Sequence, residues 1–286
     1  MGTPEPAVVV LRALVAAGHD VVMVVSRPDK RRGRNEPARP SPVKAAASQL
    51  GLPVTDRAEG VMGTGAELGV VVAFGRIIKA DVLEALDLVN VHFSLLPRWR
   101  GAAPVERAIL AGDAVTGVCL MAVDEGLDTG PVYRRVEVPI GERETAAALS
   151  SRLAQVGAKL LVEALGQGLG VPAPQDGEAS YAAKIEPADR MLCWERAAAE
   201  LQRVVRVGRA WTTWRSRRLL VLEAEAAPDP RLAGAAPLPG ALAGDVVQTG
   251  GGGLRLLTVQ PEGRRPVTGA EWVRGARPAP GEVLGG

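Results

Sequence analysis

Asn90 and His92 stand two positions apart after an apolar stretch carrying Ala85, Leu86, Leu88 and Val89. On a β-strand that spacing puts both side chains on one face. A carboxamide and an imidazole side by side can hold a developing oxyanion and handle a proton. The chain then runs Phe93-Ser94-Leu95-Leu96-Pro97-Arg98-Trp99-Arg100-Gly101-Ala102-Ala103-Pro104, a loop punctuated by Pro and Gly. Such a strand-to-loop junction is where an open parallel sheet delivers polar groups. His92 is one of two histidines, and the other, His19, sits in the turn Gly18-His19-Asp20 and reads as structural. The run Asp124-Glu125-Gly126-Leu127-Asp128-Thr129-Gly130-Pro131 supplies a carboxylate. In isolation Asp128 is an ordinary turn residue; beside Asn90 and His92 it is a candidate third member of one constellation. Ser94 is a poor nucleophile for His92, because strand neighbours rarely place hydroxyl and imidazole in line, and a ligand-binding role fits it better.

Other chemistries find no support. Gly63-Thr64-Gly65 lacks the third glycine of a dinucleotide fingerprint, and no phosphate loop, nucleophile elbow or H-E-x-x-H helix occurs. Cys119 and Cys193 have no metal-ligand spacing and imply neither a zinc site nor a disulfide framework, so no metal is expected. No apolar run is long enough to span a bilayer and no secretory leader is visible, which leads to the expectation of a cytoplasmic protein with no membrane partner.

The elements that must position these residues follow from pattern. Helices are expected at Pro4–Ala17, from Ser41-Pro42 to Leu50, at Pro104–Ala111, Glu144–Leu165 and Glu195–Val207, with apolar strands at Val21–Val25, Leu68–Ala73, Val89–His92 and Thr116–Val123. This alternation argues for a parallel sheet covered on both faces. After Gly168 the texture becomes Pro-rich and then strand-like, with a Gly250–Gly253 turn, suggesting a small β-barrel. The 286 residues divide into a catalytic domain over 1–176, a linker over 177–194 and a second domain over 195–286. Charge is uneven: Arg27, Lys30, Arg31, Arg32, Arg34 and Arg39 face only Asp29 and Glu36 within one loop, which favours an anionic partner such as RNA phosphate.

The spans N-V-H-F-S-L-L-P-R-W-R-G-A-A-P and D-E-G-L-D-T-G resemble the signature of the folate-dependent formyltransferases, and the R-W-R-G-A-A-P form is that of the tRNA-acting branch. The likeness continues through Gly2-Thr3-Pro4, Arg27–Pro42, Tyr181-Ala182-Ala183-Lys184-Ile185 and Leu257-Thr258-Val259-Gln260-Pro261. It implies an α/β fold, with a Rossmann-type parallel-sheet formyltransferase domain followed by a small OB-like β-barrel that helps bind tRNA. It implies transfer of the formyl group of 10-formyltetrahydrofolate to the amine of initiator methionyl-tRNA by a metal-free monomer. Asn90, His92 and Asp128 would be catalytic, Ser94, Leu95, Leu96 and Pro97 would line the folate site, and the basic loop, with Arg34, would approach the acceptor stem. Which group takes the amine proton stays open. A nucleotide-sugar N-formyltransferase shares the Asn-x-His and Asp core and remains an alternative, as does a non-catalytic RNA-binding remnant.

One departure stands out. Members of the family begin with a short apolar strand before Gly-Thr-Pro, whereas here only Met1 precedes Gly2. The slot between Val21–Val25 and Leu68–Ala73 is therefore expected to be empty or improvised, and the coding frame to continue upstream.

Overall fold

The computed structural model describes residues 1–31, 37–228, 238–279 and 282–285. The chain divides into two units. The first comprises Met1–Arg107, Ala114–Ile140 and Ala148–Lys184; the second comprises Ala108–Asp113, Gly141–Ala147 and Ile185–Gly286. The passage from one to the other, at Lys184/Ile185, falls inside the stretch expected as a linker, whose first part is still structural: Tyr181 and Ala182 form a strand of the first unit.

The chain opens with α1 (Glu5–Ala16), β1 (Val24–Val25), α2 (Pro42–Gln49), β2 (Val54–Thr55), β3 (Gly69–Val71), α3 (Ala80–Ala85) and β4 (Leu88–His92). There follow β5 (Arg100–Gly101), α4 (Pro104–Ala111), β6 (Val115–Ala122), β7 (Val132–Pro139), α5 (Ala146–Gln167) and β8 (Tyr181–Ala182). Pro4 precedes α1 without a side-chain capping bond, whereas Ser41 caps α2, its hydroxyl accepting from Lys44 N–H, as a residue with a short side-chain oxygen does at a helix start. β1 pairs with β2, and β3 with β4, in parallel. β6 and β7 then run antiparallel, giving the order β3-β4-β6-β7. The parallel pairs suggested by the alternation of strands and helices are present, and the antiparallel β6 and β7 are added to one side of them. β7 went unforeseen because its sequence, Val-Tyr-Arg-Arg-Val-Glu-Val-Pro, is that of a largely exposed strand.

β1 and β3 are not hydrogen-bonded to each other. Gly2 N–H donates to Val25 O at 3.0 Å, Val72 N–H donates to Met1 O at 2.9 Å, and the Met1 amine donates to Val70 O at 2.6 Å. Met1 and Gly2 therefore fill only the carboxyl end of the gap, and a cavity of about 540 Å³, lined by Val21–Val25, Leu68–Val70 and α1, occupies the rest. Gly2 is required there: a Cβ would lie 2.6 Å from Ala7 Cβ and 2.9 Å from Val72 O. Burial away from water pushes the Met1 amine down to about 5.

In the second unit, α6 (Ala198–Val207) precedes β9 (Ala210–Trp214), β10 (Arg217–Ala227), β11 (Leu242–Ala243), β12 (Val246–Gln248), β13 (Gly253–Pro261), β14 (Val267–Thr268) and α7 (Gly269–Ala276). The antiparallel order is β11-β12-β13-β10-β9, with β14 on β13. Among the described residues the pairings run open from β11 to β9. Its core packs Trp194, Leu201, Val221, Leu254, Leu256 and Trp272.

Candidate active site

β4 is buried except at half-buried Asn90, and Val71 of β3 and Met121 of β6 flank Asn90 in register. This fixes Asn90 and His92 at the carboxyl end of the parallel pair. The turn after β6 brings Asp128 to them. Asn90 Nδ2 donates to Asp128 Oδ1 at 3.3 Å, and His92 Nδ1 lies 3.6 Å from Asp128 Oδ2, an ion-pair separation longer than a hydrogen bond. Gly101 N–H donates to Asp128 Oδ2 at 2.8 Å, tying the carboxylate to β5. The structure thus brings together the three residues singled out for chemistry. His92 is 5 % exposed and Asp128 17 %, so their interactions are only weakly screened by water.

Two backbone features hold this geometry. Asp128 has φ 51°, a left-handed conformation that Asp tolerates better than most residues. It is locked by Gln175, whose Nε2 donates to Asp128 O at 2.9 Å and to Gly130 O at 2.8 Å. Gln175 is oriented in turn by Arg100, whose Nε and Nη2 donate to its Oε1 at 3.0 and 2.7 Å. Trp99, at φ 63°, is less suited to this region, and such strain costs about 1–3 kcal/mol. It is held by Ser180, whose Oγ accepts from Trp99 N–H at 3.0 Å, and by the parallel pairing of β5 with β8. The result aims Trp99 O at His92 Nε2, 3.0 Å away. Each imidazole nitrogen therefore faces an oxygen, and a doubly protonated ring presents a donor to both.

Gln175, Arg100 and Trp99 were not singled out from the sequence. Arg100 and Trp99 lie inside the quoted R-W-R-G run, but Gln175 sits in a Pro-rich stretch with no motif of its own.

The Ser94–Pro97 segment is mostly occupied with structure. Ser94 Oγ is buried and donates to Arg98 O at 2.6 Å; Leu96 packs on Cys119 and Met121. Burial pushes the Cys119 thiol up. Leu95 crosses Gly117, where a Cβ would collide with its side chain. The basic loop is closed at its base by Ser26 Oγ···Ser41 Oγ at 2.6 Å, by Lys44–Asp29 at 2.8 Å and by the Lys30–Arg39 backbone pair. Arg27, Lys30, Arg31 and Arg39 belong to this described frame; Arg32 and Arg34 lie outside the described residues. Among the described residues no group of three or more His, Cys, Asp or Glu is placed to hold a metal ion, and no helix is long and apolar enough to cross a membrane.

A mixed sheet whose parallel strand ends present an amide, an imidazole and a carboxylate in one partly buried cluster has the groups to stabilise an oxyanion and to move a proton. The formyl transferase family model matches residues 1–165, and that of the formyl transferase C-terminal domain matches residues 184–277. The chain is similar to the methionyl-tRNA formyltransferase of Jannaschia sp. (strain CCS1), 42 % identical over 99 % of this chain and 98 % of that one. It is 44 % identical to the methionyl-tRNA formyltransferase of Symbiobacterium thermophilum over 96 % of this chain and 91 % of that one. Among solved structures, WlaRD, a sugar 3N-formyl transferase with dTDP and 5-N-formyl-THF, shares the fold with TM-score 0.64 at 17 % identity, covering 92 % of this chain and 97 % of that one. The chain belongs to the formyl transferase family, and it is a formyl-group transferase.

Proposed function

We propose that the chain transfers the formyl group of 10-formyltetrahydrofolate to the amine of initiator methionyl-tRNA, giving N-formylmethionyl-tRNA for translation initiation in the cytoplasm. The observation that carries the chemistry is the Asp128 carboxylate, which accepts from Asn90 and from Gly101 N–H while facing His92. As the amine attacks the formyl carbon, the carbonyl oxygen gains negative charge. One hydrogen of Asn90 Nδ2 is engaged by Asp128, and the second is the donor for that oxygen. His92, held between Trp99 O and Asp128, adds positive charge beside it as an imidazolium, or becomes a donor to it when one ring nitrogen is released from its partner. Asp128 fixes His92 and accepts the proton leaving the amine, directly or through a water. The Ser94–Pro97 segment forms the wall under the donor. The basic frame from Arg27 to Arg39 takes the RNA phosphates, and arginines of the second unit contribute to RNA binding as well.

Relatives that are 42–44 % identical over nearly the whole chain favour tRNA as the acceptor over a nucleotide sugar, whose enzymes share the fold at far lower identity. The test is formylation by the purified monomeric chain with 10-formyltetrahydrofolate, offering initiator methionyl-tRNA and a dTDP-amino sugar in parallel. Formyl transfer to the tRNA alone is expected; transfer to the sugar alone overturns the acceptor assignment, and transfer to neither overturns the activity.

A further inference from the structure

After α5 the chain returns to the Asn90–His92–Asp128 cluster and touches it from both sides. Gln175 holds the turn that carries Asp128. Five positions on, Ser180 holds the loop that faces the other nitrogen of His92. Ser180 N–H donates to Pro97 O at 3.2 Å, its carbonyl accepts from Arg100 N–H at 2.8 Å, and its hydroxyl accepts from Trp99 N–H at 3.0 Å. Ala182 O then accepts from Ala102 and Ala103 N–H at 2.9 and 3.2 Å. The 97–103 run is thereby zipped onto β8.

That same run meets the chemical groups, with Trp99 O at 3.0 Å from His92 Nε2 and Gly101 N–H at 2.8 Å from Asp128 Oδ2. The peptide group joining Trp99 to Arg100 spans the distance: its N–H is held by Ser180 O and its carbonyl faces His92. The peptide group before Trp99 is held by the Ser180 hydroxyl. One residue therefore fixes both planes that flank Trp99 at φ 63°. A bulky side chain keeps that conformation only under constraint, and the strain is of the same order as one hydrogen bond. The hydroxyl is thus enough to decide whether the left-handed turn persists. A backbone carbonyl only accepts, so the ring nitrogen bonded to it carries a proton.

We propose that Ser180 is a positioning residue for formyl transfer: by fixing the Trp99 carbonyl it keeps a proton on His92 Nε2 and leaves Nδ1, beside Asp128, as the ring nitrogen that exchanges protons with the reaction. Its role rests on the chemistry given to His92 in the function proposed above. With Nε2 committed to Trp99 O, the ring is held in one tautomer, as hydrogen bonding of one imidazole nitrogen does generally. Proton transfer is then confined to the Asp128 side, where the proton of the attacking amine departs. Without the hydroxyl Trp99 is free to turn, its carbonyl leaves the ring, and the two nitrogens compete for the proton.

The chain holds two histidines and His19 is exposed, so magnetic resonance of protein carrying isotope-labelled histidine reads His92 against an internal reference. A slowly exchanging Nε2–H is expected for His92 in the unaltered chain. In Ser180→Ala its exchange should quicken about tenfold, the order one hydrogen bond is worth, with the His19 signals unchanged. Turnover of methionyl-tRNA should fall about tenfold to a hundredfold, as a displacement of about 1 Å in a reacting group costs. KM for donor and tRNA should stay close to their original values, because positioning and not binding is lost. Ser180→Thr, which keeps the hydroxyl, should restore most of kcat and of the slow exchange. An unaltered kcat in Ser180→Ala, or a lowered one with His92 exchange unchanged, overturns the proposal. So does a Ser180→Ala chain that fails to fold, which would make Ser180 a structural residue. Absence of formylation by the unaltered chain refutes the underlying function instead.

Discussion

Asp128→Asn separates charge from shape at the centre of the cluster. The new amide keeps one oxygen, and the 2.8 Å contact from Gly101 N–H claims it. Its nitrogen then faces Asn90 Nδ2, a donor 3.3 Å away. Two donors cannot share that contact, and rotating the Asn90 amide relieves it by turning the Asn90 nitrogen away from the reacting oxygen. Loss of the proton acceptor alone is worth about 10²–10⁴ in turnover, and a misdirected oxyanion donor about 10²–10³. Both act on one transition state and do not add, so a fall of about 10³ in kcat is expected. Stability should change by only about 1 kcal/mol, since each buried polar group keeps a partner after rotation. Single-turnover formylation of methionyl-tRNA at saturating donor reads the first quantity and thermal unfolding the second. A kcat within tenfold of the unaltered chain, with an intact fold, would refute the role given to Asp128.

Gln175→Ala removes both bonds that hold the left-handed turn at Asp128 and should lower kcat about tenfold to a hundredfold with a smaller change in donor KM, because it disturbs positioning rather than binding; Gln175→Glu, which cannot donate to the two carbonyls, should behave alike. The Met1 amine, driven down to about 5 from 8.0, is neutral in the fold where the unfolded chain holds a proton. Stability should therefore fall as pH drops from 8 to 5, by on the order of 4 kcal/mol, and a chain acetylated at Met1 should lose that slope in denaturant titrations. Arg215 Nε and Nη2 donate to Glu282 Oε1 and Oε2 at 2.7 and 2.9 Å and hold its carboxyl down to about 2. That contribution is present above the ordinary carboxylate range and is lost as pH falls towards 2, so Arg215→Gln should flatten the acid limb of unfolding of the second unit.

Much of this was legible in the sequence for stated reasons. Asn90 and His92 announced themselves because strand periodicity fixes which face each takes, and a buried strand leaves few alternatives. The gap beside β1 could be foreseen because backbone pairing is an accounting that two residues cannot complete. α7 was missed although Thr268-Gly269-Ala270-Glu271 carries a capping-box spacing, and both reciprocal bonds form, Glu271 N–H to Thr268 Oγ1 at 3.2 Å and Thr268 N–H to Glu271 Oε2 at 3.0 Å. Gln175 was illegible for a different reason. An amide that binds two carbonyls forty-odd residues away leaves no local pattern, since its role is set by where the chain returns and not by its neighbours. Mixed strand direction was hidden likewise, because β6 is as uniformly buried as a parallel strand.

The return of the chain through Gln175, Ser180 and Ala182 also sets a timetable. His92 is synthesised long before the segment that pins its neighbours, and β5 has no partner strand until β8 has emerged. At about 5–20 residues per second, the 83 residues separating positions 92 and 175 take roughly 4 to 17 s to make. During that interval β4 can be fully paired with β3 and β6 while Trp99 and Asp128 lack the contacts that hold them in their left-handed conformations. A nascent chain released or stalled before Ala182 would carry a folded sheet while the Trp99 and Asp128 turns are still unheld. Closure of the Asn90–His92–Asp128 cluster thus comes late in synthesis, after the sheet that carries it has been made.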